Sequence, residues 1–331
     1  MIPEPSPPHR VEVPPALHGE RLDKALTELL GGALSRSQVG RRIRLGLARV
    51  DGRVVRRTGL PVEAGQRLEL AEPELGEEGG FPEPEVLYAD AHLAVLAKPP
   101  GLPMHGNYAG DRRPSVARFL EQRFGPGLPA NQGAERPGIV HRLDAGTSGV
   151  CVVALEQRCF LDLMQQFADR EVEKEYQAVC YGRPRFRSDW IEKRLARDER
   201  RPERVRVTRS TGPESRDAVT YWERIRLFAG FAHLRVRPRT GRMHQIRVHL
   251  ASVGLPIVGD PLYRARNYGP GMFPPGAPPV RRPLLHARRL AFEHPASGEA
   301  VAFEAPPPED YAAFLACLEQ ALPLAEEDDP V

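Results

Sequence analysis

Cysteine is scarce in this sequence, and no regular spacing connects the four cysteines that are present. Cys151, Cys159, Cys180 and Cys317 form no CxxC pair, and three of them lie in apolar stretches. Such residues are typical of reduced, buried thiols. The sequence therefore predicts neither a disulfide framework nor a cysteine metal site.

Long hydrophobic runs are absent as well. No apolar stretch is long enough to span a bilayer, and the first residues, MIPEPSPPHR, lack the pattern of a signal peptide. We therefore expect a soluble, cytoplasmic protein with no membrane partner. The sequence also contains no GxGxxG, no P-loop and no metal-ligand spacing.

Lysine is rare too, since only four of the 47 basic residues are lysines. Arginine supplies nearly all of the positive charge, and its planar guanidinium suits phosphate binding and stacking on bases. The net charge of +3 is small, so the charge of the whole chain does not identify a partner. With 331 residues, the chain is long enough for two domains.

Composition divides the chain into five predicted segments. The first is rich in proline, and the third combines acidic residues with glycine and proline, which is typical of a linker. The segments are a disordered tail (1–17), a small basic domain (18–72), a linker (73–85), a larger mixed domain (86–310), and a C-terminal helix with an acidic tail (311–331).

The small basic domain is predicted to contain two helices, a hairpin and a further strand. RLDKALTELL has helical spacing, Ser35 can cap a second helix, ARVDGRVV is typical of a hairpin, and QRLEL closes the unit. Residues 21–70 contain eleven arginines and lysines against five acids. This excess favours contact with an RNA backbone over a merely solvated helix face. The predicted RNA-contact residues are Arg36, Arg41, Arg42 and Arg44.

Strand and helix patterns alternate in the larger domain. VLYADAHLAVLA is typical of two strands, GVCVVAL of a buried strand, and EKEYQAVCYG and FAHLRVRP of alternating strands. PSVARFLEQRFG and LDLMQQFADR have the spacing of helices. Residues 264–282 form a long loop rich in proline, glycine and arginine, of the kind that is usually functional or mobile.

The stretch GIVHRLDAGTSGVCVVAL places Asp144 in a short loop between two buried strands, which is a rigid support for a reactive group. Gly146 and Gly149 allow a sharp turn and the close approach of another molecule, and Thr147 can satisfy a loop amide. Two interpretations are open at this point. Arg142 and Asp144 form a surface ion pair, or Asp144 is held there for catalysis.

The stretch RTGRMHQIRVHLASVG has the pattern of a helix. Thr240 can cap it, and Ile246, Leu250 and Val253 face the core. Arg247 lies outside this apolar face, so its side chain can pair with a carboxylate on a neighbouring loop. The alternative is a strand, in which Gln245, Arg247 and His249 would lie on one face. We prefer the helix because its end residues are better caps.

In EKEYQAVCYG, Lys174 and Tyr176 point to the same side of a strand. A tyrosine beside a lysine can stack on a planar ligand, and an ordinary half-buried strand tyrosine is the alternative. Three histidines have no carboxylate partner at helix spacing. We interpret His141, His244 and His249 as hydrogen-bonding residues and not as metal ligands.

Several of these blocks, in order, resemble the motifs of the RluA-type pseudouridine synthases. They are HRLDAGTSGV, EKEY and GRMHQIRVHLASVGLPIVGDPLY, with VLAKPPGLPMHG before them and LLHARRLAFEHP after them. The small basic domain resembles the S4-type RNA-binding domain that is often fused to these enzymes. The resemblance implies an α+β pseudouridine synthase fold with a mixed, mainly antiparallel central sheet, flanking helices and loops, and a small α/β S4-like domain.

The resemblance also implies roles for individual residues. Asp144 is similar to the nucleophilic aspartate of the family, and Arg247 to the arginine paired with it. Tyr176 is similar to the tyrosine that packs on the target base, and Arg142 to the arginine placed where the flipped nucleotide leaves its helix. Further substrate contacts are expected from His141, Lys174 and Thr147.

The function implied by the resemblance is an RNA pseudouridine synthase that acts as a monomer. The S4-like domain favours large-subunit ribosomal RNA as substrate. The alternatives are a transfer-RNA synthase and a non-catalytic RNA-binding or ribosome-assembly protein that keeps the fold. A glycosidase is disfavoured because no second acid lies near Asp144. The reaction conserves all atoms of uridine, so we expect no cofactor and no metal. Whether Asp144 attacks ribose C1′ or the uracil ring stays open.

Overall fold

The computed structural model describes residues 9–31, 34, 36–71, 82–106, 113–130, 136–264 and 267–322, apart from the side chains of residues 37, 38, 41, 44 and 45. The chain divides into two compact units, residues 1–80 and residues 81–331. The predicted linker, residues 73–85, spans this division, and most of it lies outside the described residues.

The smaller unit is a four-stranded sheet with two helices. Its elements are β1 (His9–Glu12), α1 (Leu22–Leu29), α2 (Arg36–Leu45), β2 (Ala48–Val50), β3 (Arg53–Val55) and β4 (Arg67–Leu70), with the strand order β1-β4-β2-β3. Asp51 and Gly52 join β2 to β3 with φ values of 48° and 78°, the left-handed conformation that a tight hairpin turn requires. The predicted helices, hairpin and closing strand are confirmed, while the predicted cap Ser35 lies outside the described residues.

The predicted disordered tail is wrong for residues 9–17. Strand β1 pairs antiparallel with β4, from His9 opposite Leu70 to Glu12 opposite Arg67. A 3-10 turn follows at Pro15–Leu17, and the side chains of Val13 and Leu17 are buried. The high proline content suggested disorder, but alternating apolar residues between the prolines still fill this core. Residues 1–8 of the predicted tail lie outside the described residues.

The larger unit contains the remaining elements. They are β5 (Glu85–Ala89), β6 (Leu93–Lys98), α3 (Val116–Phe124), β7 (Ser148–Ala154), α4 (Gln157–Asp169), β8 (Glu173–Tyr181), β9 (Ser188–Glu192), β10 (Arg194–Arg197), β11 (Val205–Thr208), β12 (Ser215–Arg216), β13 (Val219–Phe228), β14 (Phe231–Pro238), α5 (Gln245–Ser252), β15 (Leu285–Glu293), β16 (Ala300–Glu304) and α6 (Glu309–Ala321). The strand and helix patterns of the sequence are confirmed.

Nine of these strands form one sheet in the order β5-β6-β7-β15-β8-β14-β13-β9, with β16 added beside β15. Strands β7 and β15 run parallel, and the other described pairs of this sheet are antiparallel. A small sheet, β11-β10-β12, stands apart. The predicted α+β fold with a mixed, mainly antiparallel sheet is confirmed.

Helices cover both faces of the sheet, and this explains why every residue of β7 is buried. On one face, Val150 and Val152 pack against α4, and on the other, Cys151 and Val153 pack against α3. Three of the four cysteines are buried in this core, as predicted. Within the described ranges, no helix combines the length and the apolar character that crossing a membrane requires.

Gly149, at the start of β7, is required by the protein's own backbone. Its φ is +117°, and a Cβ atom there would lie 2.1 Å from the carbonyl oxygen of Ala287 on β15. Gly146 has no positive φ, and a Cβ there would lie 3.1 Å from Cδ of Pro283. The sequence suggested that these glycines admit another molecule, but the group that approaches Gly149 is strand β15 itself.

The long loop predicted over residues 264–282 packs onto the core in its described part. Tyr268 stacks on Tyr181 of β8 with ring centroids 5.2 Å apart, and Phe273 lies 5.0 Å from the ring of Phe314 on α6. Helix α6, the predicted C-terminal helix, is itself buried through Tyr311, Phe314 and Leu318. The loop and the last helix are therefore part of the core of the larger unit.

Candidate active site

A cleft of about 450 Å³ opens beside β8 and α5 in the larger unit. Its walls come from the loop before β7, the end of α4, the start of β8 and the segment that leads into α5. All seven of the catalytic and substrate-contact residues predicted from the sequence line it: His141, Arg142, Asp144, Thr147, Lys174, Tyr176 and Arg247. The fold thus gathers them from three separate parts of the chain.

Asp144 lies in the turn just before β7, with its side chain 20% exposed. The turn is closed by a hydrogen bond that the Thr147 amide donates to the Asp144 carbonyl at 2.9 Å. Arg247 donates from Nη1 to Oδ2 of Asp144 at 2.9 Å, and His244 Nε2 lies 3.8 Å from the same oxygen. The carboxylate is therefore held on one oxygen while it faces the cleft.

Arg247 is held by a second carboxylate, which the sequence interpretation did not identify. Its Nε and Nη2 donate to the two oxygens of Asp260 at 2.7 and 2.9 Å. Asp260 has a fully buried side chain, and its Oδ1 also accepts the amides of Leu262 and Tyr263. Burial alone would lower the pKa of Arg247, but Asp260 and Asp144 raise it well above its ordinary value. The guanidinium therefore stays charged, with its third nitrogen directed at Asp144.

The ring of Tyr263 supports the same guanidinium. The guanidinium carbons of Arg247 and Arg204 both lie 5.2 Å from its centroid. Its hydroxyl accepts the Val205 amide at 2.8 Å and lies 2.9 Å from His244 Nδ1. Asp260 and Tyr263 both belong to the block VGDPLY, so the sequence contained a signal for them, but nothing in it indicated their contact with Arg247.

Two buried cations hold the loop that carries Asp144. Lys98, at the end of β6, donates to the carbonyl of Ala145 at 3.1 Å and to those of Pro99 and Leu102. Arg282 donates from Nη1 to the carbonyl of Gly146 at 3.1 Å. Arg282 is in turn paired with Asp310 at the start of α6, at 2.6 and 2.7 Å. Two successive carbonyls after Asp144, those of Ala145 and Gly146, are thus each bonded to a buried basic side chain.

The buried Lys98 predicts a measurable pH dependence of stability. Burial lowers the pKa of its ammonium to about 7 from an ordinary 10.5. Between these values the unfolded chain binds a proton that the folded chain has released, so the free energy of unfolding should rise with pH, by up to about 1.4 kcal/mol per pH unit. Below pH 7 both states are protonated and the cost of burying the charge is present in full. Urea denaturation of the wild type and Lys98→Met between pH 7 and 9 should show the rise only in the wild type.

A matched control is Lys193→Met, because Lys193 bonds to Ser252 near the surface. This variant should keep the wild-type pH dependence. Equal slopes in the wild type and Lys98→Met would mean that Lys98 does not titrate in this range.

Tyr176 and Lys174 lie on the same side of β8 and line the cleft, as the strand pattern predicts. Burial, together with the nearby Asp144, raises the pKa of Tyr176 well above its ordinary value, so the phenol stays protonated. Lys174 Nζ lies 5.9 Å from the ring centroid of Phe167. The ring of Tyr176 is thus a neutral, apolar surface beside the only carboxylate of the described cleft lining.

His141 has less freedom to bind a substrate than the sequence suggested. Its Nε2 accepts the Val152 amide at 3.0 Å, and its ring stacks on Phe167 with centroids 4.5 Å apart. Burial lowers the pKa of His141 to about 3, so the imidazole is neutral. His249 bonds through both ring nitrogens, to Thr220 and to the Lys193 carbonyl. These contacts agree with the interpretation of the histidines as hydrogen-bonding residues.

The predicted helix around Arg247 is confirmed as α5, and the strand alternative is wrong. Thr240, however, is not its cap: its hydroxyl donates to Gln245 Oε1 at 2.7 Å and accepts the Val219 amide. The helix begins after His244, which has a left-handed φ of 53°. Val253, predicted to face the core, follows the end of the helix and is 41% exposed. Because α5 begins at Gln245 and not directly after Thr240, it has only about two turns, and Arg247 lies in the first turn.

The charged residues that line the cleft are mostly positive. Asp144 is the only carboxylate among the described residues that line it, against one lysine and six arginines: Arg136, Arg142, Arg170, Arg239, Arg242 and Arg247. Such a lining attracts a polyanion. It also lacks the second acid that a paired-carboxylate mechanism needs.

The predicted RNA contacts of the smaller unit are only partly available. Arg36 is half exposed, and it pairs with Asp23 at 3.1 Å. Arg42 is only 5% exposed, because it lies on the core side of α2 beside the buried Val39 and Ile43. Its prediction as an RNA contact is therefore wrong. The side chains of Arg41 and Arg44 lie outside the described residues.

Comparisons with known proteins identify the family of the chain. The family described as RNA pseudouridylate synthase matches residues 92–252, and the S4 domain family matches residues 20–68. An uncharacterized RNA pseudouridine synthase of Chloroflexus aurantiacus is 38% identical over 92% of each chain. Ribosomal large subunit pseudouridine synthase D of Pseudomonas aeruginosa is 34% identical over 93% of this chain and 95% of that protein.

A solved structure extends the likeness to the fold. Human RNA pseudouridylate synthase domain containing 1 is 24% identical and superposes with a TM-score of 0.58. The match covers 76% of this chain and 94% of the human chain. This chain thus shares the fold of the human chain over the matched part.

Proposed function

Since this chain belongs to the RNA pseudouridylate synthase family and carries an S4 domain, we propose that it isomerises specific uridines of large-subunit ribosomal RNA, with Asp144 as the nucleophile. Family membership and the S4 domain confirm the two resemblances drawn from the motifs. The observation that carries the proposal is a single carboxylate, bonded to a doubly anchored Arg247, in a cleft lined with arginines. The names of several relatives, such as the Pseudomonas aeruginosa protein, favour large-subunit ribosomal RNA.

The proposed chemistry uses the two oxygens of Asp144 differently. Arg247 occupies Oδ2, and Oδ1 is left for the attack. In attack at ribose C1′, the Oδ1–C1′ bond forms as N1–C1′ breaks, and the freed uracil turns. C5 then bonds to C1′, the carboxylate leaves, the C5 proton is lost and N1 gains a proton. Addition of Asp144 to the uracil ring is the second route compatible with this geometry.

The target uridine has to leave its stack before it reaches the cleft, which costs a few kcal/mol. Arg142 is exposed at the rim, where it can occupy the space that the nucleotide leaves. Tyr176 offers its ring as a surface for the base inside the cleft, and the neighbouring arginines can repay the cost through phosphate contacts. These proposed roles are supported by the presence of the side chains in the same cleft as Asp144.

The smaller unit should supply a large share of the RNA affinity. Deleting residues 1–80 removes a unit with its own core and a basic excess. The affinity for RNA should fall, and the dependence of log Kd on log salt should become flatter, because fewer phosphates are neutralised. Filter binding of both proteins to a large-subunit ribosomal RNA transcript at several salt concentrations would measure this. An unchanged salt dependence would mean that the unit does not contact RNA.

The substrate is tested by mapping pseudouridines chemically in a strain that lacks the protein and in the same strain with the gene restored. The proposal expects one or more sites of large-subunit ribosomal RNA to be lost and then regained. Loss confined to transfer RNA would identify the alternative substrate. If every pseudouridine persists, the non-catalytic alternative is favoured.

A further inference from the structure

Trp190 lies unusually exposed for a tryptophan. It belongs to β9, the edge strand of the large sheet, and 43% of it is exposed. Tyr221 lies directly opposite on β13, and the two rings are 5.0 Å apart at an angle of 50°. The guanidinium carbon of Arg239 lies 5.2 Å from the centre of the Trp190 ring. An aromatic surface and a guanidinium therefore stand together at the edge of the sheet.

Arg239 connects this edge to the cleft. It follows β14 directly, its amide donates to the Val219 carbonyl at 2.9 Å, and it is one of the residues that line the cleft of Asp144. Arg239 thus belongs to the cleft lining and also contacts Trp190, which itself does not line the cleft.

Arg239 differs from the two arginines that precede it on β14. Its neighbours on β14 are neutralised, since Arg235 pairs with Glu175 and Glu223, and Arg237 pairs with Glu175. Within the part of the chain that the structure describes, Arg239 forms no ion pair, and its contact with Trp190 is a cation–π contact. An exposed guanidinium without a carboxylate, held over an indole, is suited to an external phosphate.

We propose that Trp190 and Arg239 form a second RNA subsite, which holds a nucleotide next to the target uridine. The base of this nucleotide stacks on the exposed indole. The guanidinium, held at the ring, contacts the phosphate that leads into the cleft. This inference rests on the proposed function, because it needs an RNA strand in the cleft.

The chemistry of the pair favours RNA over a protein partner. Every base offers a flat face that stacks on an aromatic side chain, and every nucleotide brings a phosphate. The arginines of the cleft wall extend the same positive charge up to Arg239. The subsite would therefore adjoin the cleft that the proposed function assigns to the target nucleotide.

The test uses Trp190→Ala, Trp190→Phe and Arg239→Ala in the full chain, with a large-subunit ribosomal RNA transcript as substrate. Trp190→Ala should raise KM about tenfold and leave kcat unchanged. Trp190→Phe should bring KM most of the way back to the wild-type value, because phenylalanine can still stack on a base. Arg239→Ala should also raise KM. It should reduce the slope of log Kd for RNA against log salt by the contribution of roughly one phosphate contact.

Matched controls are Ile225→Ala and Arg226→Ala, which change exposed positions on β13 that do not line the cleft. Both should keep the wild-type KM.

Fluorescence gives a readout that does not depend on catalysis. The chain has two tryptophans, and Trp222 is buried, so a base that stacks on Trp190 should quench the exposed part of the emission. RNA should quench the wild type and Asp144→Asn alike, and should not quench Trp190→Phe. Quenching without isomerisation by the wild type would overturn the proposed function and keep the subsite. Isomerisation with an unchanged KM in Trp190→Ala and no quenching would overturn the subsite alone.

Discussion

Asp144→Asn is expected to lower the rate of uridine isomerisation by at least about a thousandfold, while the affinity for RNA stays close to that of the wild type. An amide has the shape of the carboxylate but not its negative charge, so it cannot attack a carbon atom. Its oxygen can still accept the hydrogen bond from Arg247, which keeps the loop in place. Release of the C5 hydrogen from RNA labelled at uridine C5, measured in a single turnover, would report the rate.

The surface aspartate Asp169, near the end of α4, provides a control for this experiment. Its side chain is exposed and bonds to Gln165, so Asp169→Asn should react at the wild-type rate. If Asp144→Asn also isomerised RNA at that rate, Asp144 would not be the nucleophile. The proposed mechanism would then have no carboxylate, because no other lines the described part of the cleft.

Arg247→Met is expected to abolish turnover and, in addition, to destabilise the fold. The substitution releases Asp144 and leaves the buried Asp260 carboxylate without its partner. Breaking a buried ion pair in this way typically costs about 3–5 kcal/mol. A loss of activity in the single variant would therefore not separate a catalytic role of Arg247 from a structural one.

The double variant Arg247→Met with Asp260→Asn separates the two roles. Asparagine removes the unpaired charge, and its oxygen can still accept the amides of Leu262 and Tyr263. Most of the free energy of unfolding should return, while isomerisation stays undetectable. Denaturant titration and the single-turnover assay on the same samples would measure both. A stable and active double variant would remove Arg247 from the mechanism.

The local structure of this chain could be predicted largely from its sequence. The Asp–Gly turn and the helical spacing of α3 depend on interactions between residues close in the chain, and the continuous apolar run of β7 is itself a local pattern that indicates a buried strand. The observed helix Val116–Phe124 and the Asp51–Gly52 turn agree with those patterns. Where the prediction failed, a longer-range contact overruled the local signal, as in β1, which pairs with β4 although it lies among prolines.

The site was predicted through the family resemblance, and its supporting contacts were not. Asp144 and Arg247 are 103 positions apart, so no local pattern connects them. Lys98, Asp260 and Arg282 act on the site from other parts of the fold. Lys98 and Asp260 belong to two of the quoted blocks, but nothing in the sequence indicates which groups any of the three residues contacts.

The sequence by itself determined which segments are helices and strands, that the chain has a basic N-terminal unit, and which motifs can carry the chemistry. These properties arise from side-chain periodicity, turn preferences and charge, which act over a few residues. Only the tertiary structure decided that Arg247 is shared between Asp260 and Asp144, that Arg42 is buried, and that the Arg239 guanidinium lies over the ring of Trp190. Burial and ion pairing depend on which distant residues meet, and the packing of the whole sheet and its helices determines that.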